Sequence, residues 1–103
     1  MSKKFELVLI IVNNGFSDDV MSIAREVGAR GGTIINARGT AKEEAEKLFN
    51  ITITPEKEIV LTVVPKDIVD DLLHAIYKNL GLNTAGGGIA FSIPVNEVAG
   101  IQS

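Results

Sequence analysis

The chain has 103 residues, of which 46% are hydrophobic and 22% charged, with a formal net charge of -3 and a mean hydropathy of +0.26. This length supports a single domain spanning residues 1–103, and the composition argues against a disordered chain. Apart from the pair Lys3-Lys4, basic residues are scattered singly, and cysteine is absent, so the sequence offers neither a nucleic-acid footprint nor thiolate chemistry.

The apolar runs are all shorter than the roughly 18 residues that a membrane span needs. The first four residues lead directly into a strand-like run with no signal-peptide cleavage site behind it. We therefore expect a cytoplasmic protein with no membrane insertion and no nucleic-acid partner.

The first predicted elements form a β-α-β unit. From Phe5 to Val12, apolar residues occupy both faces of a strand, which predicts burial on both sides. Ser17 is the expected N-cap of a helix with acidic residues in its first turn, an apolar stripe at helical spacing, and Gly28 at its end. The run from Thr33 to Ala37 is typical of a second strand.

The segment after the second strand favours a short helix. Thr40 and Glu43 have the spacing of a capping box, and apolar residues recur at helical spacing from about 41 to 49. Residues 51–54 are consistent with a short edge strand that Pro55 interrupts. A third main strand, apolar on both faces, is predicted from Glu58 to Val64.

The second half of the chain repeats the first in pattern. Pro65 and Asp67 open a long amphipathic helix that Gly81 ends. The three glycines at 86–88 predict a loop, because each of them loses much backbone freedom on ordering and has no side chain to pack. Alternating apolar residues from Ile89 then predict a last strand that Pro94 stops.

This order of elements predicts an α+β fold of the ferredoxin-like, split βαβ type. It has a four-stranded antiparallel sheet with two helices on one face, and a small extra helix between strands two and three. Two helices cover only one sheet face, so the apolar second face should be exposed in a single chain. We infer a homo-oligomer that packs sheet faces together, with ligand clefts between subunits.

Catalytic and metal chemistry find little support in the sequence. His74 is the single histidine, and helical spacing groups it with Asp67, Asp71 and Lys78 on the polar side of the second long helix. The acidic residues 43, 44 and 46 are typical of a solvated helix face, and no serine has the sequence context of a nucleophile. We therefore expect neither an enzyme nor a metal site.

The sequence gives more support to a function in binding an anionic ligand. The backbone N–H groups of a bare glycine loop can approach an anion closely. Lys57 should lie near Gly39, because the chain leaves strand two and enters strand three at the same end of adjacent strands. A cation beside backbone N–H donors suits phosphate, while the alternative interpretation is a surface lysine and a plain connecting loop.

These residues resemble a known family. The run from Gly86-Gly87-Gly88 through Phe91-Ser92-Ile93-Pro94-Val95-Asn96-Glu97-Val98 resembles the C-terminal signature of the PII nitrogen-regulatory signal proteins. Thr33 to Gly39 and Val63-Val64-Pro65 fall where that family has similar segments, so the likeness covers nearly the whole chain. The resemblance implies a trimer of ferredoxin-like subunits that binds an adenine nucleotide between subunits and docks on a transporter, an enzyme or another regulator.

The resemblance also implies a binding site. Thr33 matches the threonine opposite the nucleotide base, Gly39 and Lys57 match the two ends of the signalling loop, and Gly86 and Gly88 match the phosphate-binding loop. The full set expected to bind the ligand is Thr33, Arg38, Gly39, Lys57, Thr84, Gly86, Gly87 and Gly88.

The chain departs from the family at several positions. A lysine of the phosphate loop is replaced by Ile89, and two C-terminal arginines fall at Gly100 and Gln102. Each lost cation removes a charge-assisted contact worth about 1.5–3 kcal/mol, which weakens binding of a triphosphate. The signalling loop is shorter than in the family and contains no tyrosine, since the single Tyr77 lies in the second long helix.

Two other functions remain open. One is a CutA-type trimer associated with divalent metals, against which the single histidine and the absence of cysteine argue. The other is a ligand-free interaction module whose helix from Thr40 to Asn50 is the docking surface.

Overall fold

The computed structural model describes residues 4–40, 56–81 and 88–101. Its elements are, in chain order, β1 (Phe5–Asn13), α1 (Ser17–Val27), β2 (Thr33–Arg38), β3 (Glu56–Pro65), a short 3-10 turn (Lys66–Ile68), α2 (Val69–Leu80) and β4 (Ile89–Val95). The helix expected at 41–49 and the edge strand expected at 51–54 lie outside the described residues.

The four strands form one sheet in the order β2-β3-β1-β4, and every neighbouring pair is antiparallel. Strands β1 and β2 therefore run parallel to each other with β3 between them, which is the split βαβ arrangement. The predicted ferredoxin-like α+β fold is confirmed.

The core lies between one face of this sheet and the two helices. Alternate residues of β1 and β3 point into it and are 0 to 2% exposed: Val8, Ile10, Val12, Val60, Thr62 and Val64. The helices contribute the stripes that their spacing predicts, with Val20, Ala24, Leu72 and Ile76 fully buried. Each helix ends at a glycine in a positive-φ conformation, Gly28 at φ 125° and Gly81 at φ 64°.

No helix of the described chain covers the opposite face of the sheet, and Ile101 of the C-terminal segment shares a cavity with Leu7, Leu61 and Val63 of that face. Its alternate positions are almost all apolar: Phe5, Leu7, Leu9, Ile11, Ile35, Ile59, Leu61, Val63, Ile89, Phe91, Ile93 and Val95. We call this set the open face. Four of these side chains, Ile35, Ile89, Phe91 and Ile93, are 37 to 56% exposed. The expectation that two helices leave one apolar face bare is confirmed, while β1 is buried on only one side in a single chain.

The start of α1 differs from the sequence prediction. Ser17 is the first helical residue rather than the N-cap, and Phe16 at the cap position makes no side-chain cap bond. A carboxylate from β3 takes that role instead, because Oε1 of Glu58 accepts hydrogen bonds from the backbone N–H groups of Gly15 at 2.9 Å and Ser17 at 3.2 Å.

The end of β4 also differs. The strand continues through Pro94, which lies opposite Glu6, and ends at Val95. Proline is tolerated there because β4 is at an edge of the described sheet and pairs only with β1, so one of its two rows of backbone groups has no strand partner. None of the helices in the described ranges has the length and apolar character needed to cross a lipid bilayer.

Candidate functional site

Four strand ends meet at one end of the sheet. β1 ends there at Asn13 and β2 at Arg38, while β3 begins at Glu56 and β4 at Ile89. We call this end the loop edge. The predicted site residues Arg38, Gly39, Lys57 and Gly88 lie along it.

Thr33 lies away from the loop edge. It opens β2 opposite Leu61 and is exposed. At about 3.3 Å per residue, the four steps along β3 from Leu61 to Lys57 place Thr33 roughly 13 Å along the sheet from Lys57. Thr33 and Lys57 nevertheless share one face, because both alternate with the buried positions of the sheet.

Lys57 is held in a defined position at the loop edge. Its Nζ donates a hydrogen bond to Oδ1 of Asn13 at 2.6 Å. Its stem crosses Gly39 so closely that a Cβ added to Gly39 would lie 2.8 Å from Lys57 Cε. The structure thus brings Gly39 and Lys57 together, as the antiparallel hairpin predicts.

Arg38 belongs to the other face. It follows Ala37, the residue opposite Lys57, and itself lies opposite Glu56, so strand alternation places it on the side of the helices. Arg38 and Lys57 are therefore neighbours along the loop edge without sharing a surface, and the structure does not bring these two cations together.

Glu58 is a residue of this edge that the sequence analysis missed. The hydrogen bond from the backbone N–H of Gly15, with further bonds from Ser17 and Phe16, holds the pKa of its carboxyl below its ordinary value. The available signal was its alternation with Val60 and Thr62, which places a carboxylate on the core face of β3. Glu58 fixes the turn that carries Asn13, the partner of Lys57.

Thr33 lies in an open cavity of about 460 Å³. The described residues that line this cavity, which we call the Thr33 cavity, are Leu7, Arg30, Gly31, Gly32, Thr33, Leu61, Thr62, Val63 and Ile101. The hydroxyl of the buried Thr62 donates to the carbonyl oxygen of Gly31 at 2.6 Å. A Cβ on Gly32 would lie 3.0 Å from both the Leu61 carbonyl oxygen and Met21 Sδ, so this loop packs tightly against the fold.

A second cavity, of about 410 Å³, lies between α2 and the start of β4. His74, Tyr77 and Gly88 are among its lining residues. His74 is exposed, as the helical spacing predicts, and Gly88 has a positive φ of 117°. Thr84, Gly86 and Gly87 lie outside the described residues, and no cluster of three or more histidine or acidic side chains that could hold a metal occurs in the described ranges.

The predicted residues that the structure describes do not form one continuous site within a single chain. Gly88 precedes β4, which is two strands away from the β3 residue Lys57. At about 4.8 Å per strand, the two positions are separated by roughly 10 Å along the loop edge. A ligand that contacts both Lys57 and Gly88 of the same chain would have to span β1.

Known proteins show the same fold. Arabidopsis thaliana PII bound to citrate is 27% identical, with a TM-score of 0.71 over 97% of this chain and 82% of that chain. A PII-like signalling protein from Thermus thermophilus is 20% identical, with a TM-score of 0.69 over 90% of this chain and 87% of that chain. The apo form of CPII from Thiomonas intermedia, a nitrogen regulatory PII-like protein, is 17% identical, with a TM-score of 0.67 over 89% of each chain.

Sequence comparison identifies a family. Among curated proteins, no sequence matches this chain. The family described as nitrogen regulatory protein P-II matches residues 5–103, which is nearly the whole chain. This chain therefore belongs to the P-II family of nitrogen regulatory signalling proteins.

Proposed function

We propose that this chain is a cytoplasmic homotrimer that binds an adenine nucleotide or another small anionic metabolite between its subunits and regulates a partner protein of nitrogen metabolism. P-II proteins are signalling regulators, which supports the regulatory part of the proposal. The citrate bound to the Arabidopsis protein supports a small anionic ligand.

The observation that carries the proposal is the open face with Lys57 at its end. Four strands present apolar side chains on this face, and exposed apolar surface of this kind usually marks an interface. A second copy of the same face is apolar to the same extent, so self-association buries both surfaces. Lys57 then lies at the margin of the buried area, where a cleft between subunits would open.

Assembly also offers a way to complete the binding site. In one chain, Lys57 and Gly88 are roughly 10 Å apart with β1 between them. In the proposed trimer, Lys57 and Gly39 of one subunit face Gly88 of a neighbour. The ammonium and the backbone N–H groups would then contact the same anion.

The departures from the family pattern shape the expected ligand preference. Ile89 opens β4 and Gly100 lies in the exposed C-terminal segment, so neither supplies a cation. The affinity should therefore rise little from AMP to ATP, because the outer phosphates gain few charge-assisted bonds.

Partner regulation is proposed to involve residues 40–55. This segment leaves the sheet after Gly39 and returns at Glu56, so both of its ends adjoin Lys57. An anion bound at Lys57 would therefore lie beside the two points where this segment leaves and rejoins the sheet. Deletion of residues 41–50 should abolish binding of the regulated partner while the trimer persists.

The proposal is tested by sedimentation and calorimetry on the full chain. We expect a trimer in analytical ultracentrifugation and binding of AMP, ADP or ATP by isothermal titration calorimetry. Lys57→Ala should weaken that binding at least tenfold, since it removes a charge-assisted contact. Lys66→Ala is the matched control, because Lys66 is an exposed lysine at the opposite end of β3.

Two results would contradict the proposal. One is a folded monomer at micromolar concentration, because the proposed ligand site between subunits would then not exist. The other is the absence of any thermal shift with a panel of nucleotides and small carboxylates, because a ligand that binds the folded protein should stabilise it.

A further inference from the structure

We infer that Asn14 is a site of covalent modification: its side-chain amide is lost as ammonia after attack by the Gly15 nitrogen, and the hydrogen bond from that nitrogen to Glu58 slows the reaction. The product carries a carboxylate at position 14, beside the anion contact at Lys57. The reaction itself is independent of the proposed function, and only its effect on ligand affinity rests on that function.

The sequence and exposure of the turn are the first argument. Asn14 is the one asparagine of the chain that is followed by glycine. Because glycine has no Cβ, the Gly15 nitrogen can approach the side-chain carbonyl carbon of Asn14 closely. Both residues are exposed, and a Cβ added to Gly15 would meet no atom of the described residues within 4 Å. Water therefore reaches the peptide bond between them.

The reaction consumes only water. The Gly15 nitrogen loses its proton to solvent and bonds to Cγ of Asn14, while the side-chain nitrogen takes up a proton and leaves as ammonia. Water then opens the cyclic imide. Cleavage of the bond to Cγ gives an aspartate at position 14, whereas cleavage at the main-chain carbonyl carbon gives an isoaspartate. Either product adds one negative charge to the turn.

Glu58 opposes the first step, which is the second argument. The N–H of Gly15 donates a hydrogen bond to Oε1 of Glu58 at 2.9 Å. Loss of that proton would leave a negatively charged nitrogen beside a carboxylate, and like charges at this distance repel each other. This bond is the main cause that lowers the pKa of Glu58, so the carboxylate stays ionised at neutral pH.

The main chain around the reacting bond is also held. The N–H of Asn14 donates to the carbonyl oxygen of Glu56 at 3.1 Å. The N–H of Phe16 donates to the carbonyl oxygen of Asn13 at 3.2 Å. Ring closure requires the backbone between Asn14 and Gly15 to rotate toward the side chain, and these bonds resist that rotation. The reaction should therefore proceed from a locally opened turn.

The product changes the charge near Lys57. Asn14 bonds the backbone of Glu56, the residue before Lys57, so a carboxylate at position 14 lies close to the ammonium group. A negative charge there attracts the ammonium group and repels an incoming anion. An isoaspartate also lengthens the main chain of the turn, which disturbs its bond to Glu58.

Peptide mapping by mass spectrometry tests the inference on the full chain in neutral buffer. We expect folded wild type to convert at Asn14 about tenfold more slowly than Glu58→Ala, which corresponds to the loss of one charge-assisted hydrogen bond. Glu58→Gln keeps an acceptor without the charge and should convert at an intermediate rate. If Glu58→Ala does not fold, Glu58→Gln decides, because it should still convert faster than wild type.

Thr62→Val is the matched control for a general loss of stability. It removes the donor to the Gly31 carbonyl but leaves the bonds of Glu58 in place. Conversion at Asn14 should therefore stay at the wild-type rate. Equal rates in wild type and both Glu58 variants would overturn the inference. Equal acceleration by Thr62→Val would also overturn it, because the reaction would then follow opening of the whole fold.

Asn14→Asp tests the effect on the ligand. Calorimetry with AMP, ADP and ATP should show severalfold weaker binding than for wild type. Ser22→Asp is the control, since it adds the same charge at an exposed position of α1, and it should bind as wild type does. Unchanged affinity in Asn14→Asp would overturn this effect. Failure of the proposed function would look different: wild type would bind no nucleotide or be a monomer, while conversion at Asn14 would still depend on Glu58.

Discussion

Nζ of Lys57 lies 2.6 Å from Oδ1 of Asn13, and this hydrogen bond joins the start of β3 to the end of β1. The residues on either side of Lys57 make similar connections. The Glu56 carbonyl accepts the N–H of Asn14 at 3.1 Å, and the Glu58 carboxylate accepts the N–H of Gly15 at 2.9 Å. Three successive residues of β3 thus bond to the end of β1 and the turn after it, which anchors the point where residues 40–55 rejoin the sheet.

Gly39→Ala should weaken ligand binding while it changes the stability of the fold only slightly. The new Cβ would lie 2.8 Å from Lys57 Cε, so the lysine stem must move and its bond to Asn13 is lost. Because a flexible side chain can move aside, the free energy of unfolding should fall by less than about 1 kcal/mol. Nucleotide affinity, measured by calorimetry, should fall severalfold.

The control for this prediction is a double-mutant cycle. In a Lys57→Ala background, Gly39→Ala should cause no further loss of affinity, because the displaced group is already absent. Additive losses in the double mutant would show that Gly39 acts on the ligand by a route other than Lys57.

Glu58 should make stability sensitive to acid. Its pKa in the folded protein is lowered mainly by the hydrogen bond from Gly15, so its contribution is fully present above the pKa of the unfolded chain. That contribution is lost as the pH falls through the lowered pKa of the folded state. Urea unfolding of wild type and Glu58→Gln should show wild type more stable at pH 7, with the difference shrinking toward pH 3. A constant difference across this range would mean that the charge of Glu58 has no role at the start of α1.

The Thr62 hydroxyl should contribute measurably to stability. Thr62→Val keeps nearly the same shape at a position that is 2% exposed, but removes the donor to the Gly31 carbonyl. Loss of a buried hydrogen-bond partner costs about 1–3 kcal/mol of unfolding free energy. Thr33→Val, at an exposed position of the same loop and strand region, should change it by less than about 0.5 kcal/mol. Equal effects of the two substitutions would contradict a structural role for the Thr62 bond.

The fold could be predicted because each element carries a local signal. Both helices have apolar stripes that end at Gly28 and Gly81, and β1 and β3 are apolar on both faces. These signals depend on nearby residues only. The order of the strands then follows from connection rules that hold for most folds of this class.

The details that sequence reasoning missed depend on contacts between distant residues. Glu58 replaces Ser17 as the group that satisfies the start of α1, and the two residues are 41 positions apart in the sequence. The extension of β4 through Pro94 depends on the edge position of that strand, which only the sheet order reveals. The separation of Arg38 from Lys57 follows from strand register, and one residue of shift would reverse it.

The open face leads to the last prediction, which concerns assembly. Ile93 is 46% exposed on this face in the single chain, so Ile93→Asp should change the unfolding free energy of a monomer by only about 0.5 kcal/mol. In an assembly that buries this face, the same carboxylate would lose its water without gaining a partner, which is far more costly. Analytical ultracentrifugation should therefore show a folded monomer for Ile93→Asp. Tyr77→Asp is the control, because Tyr77 is 52% exposed but lies on α2, on the other side of the sheet, and it should leave the assembly intact. If Ile93→Asp assembles as the wild type does, the open face is not the surface through which the subunits meet, and the cleft proposed beside Lys57 would have to form elsewhere.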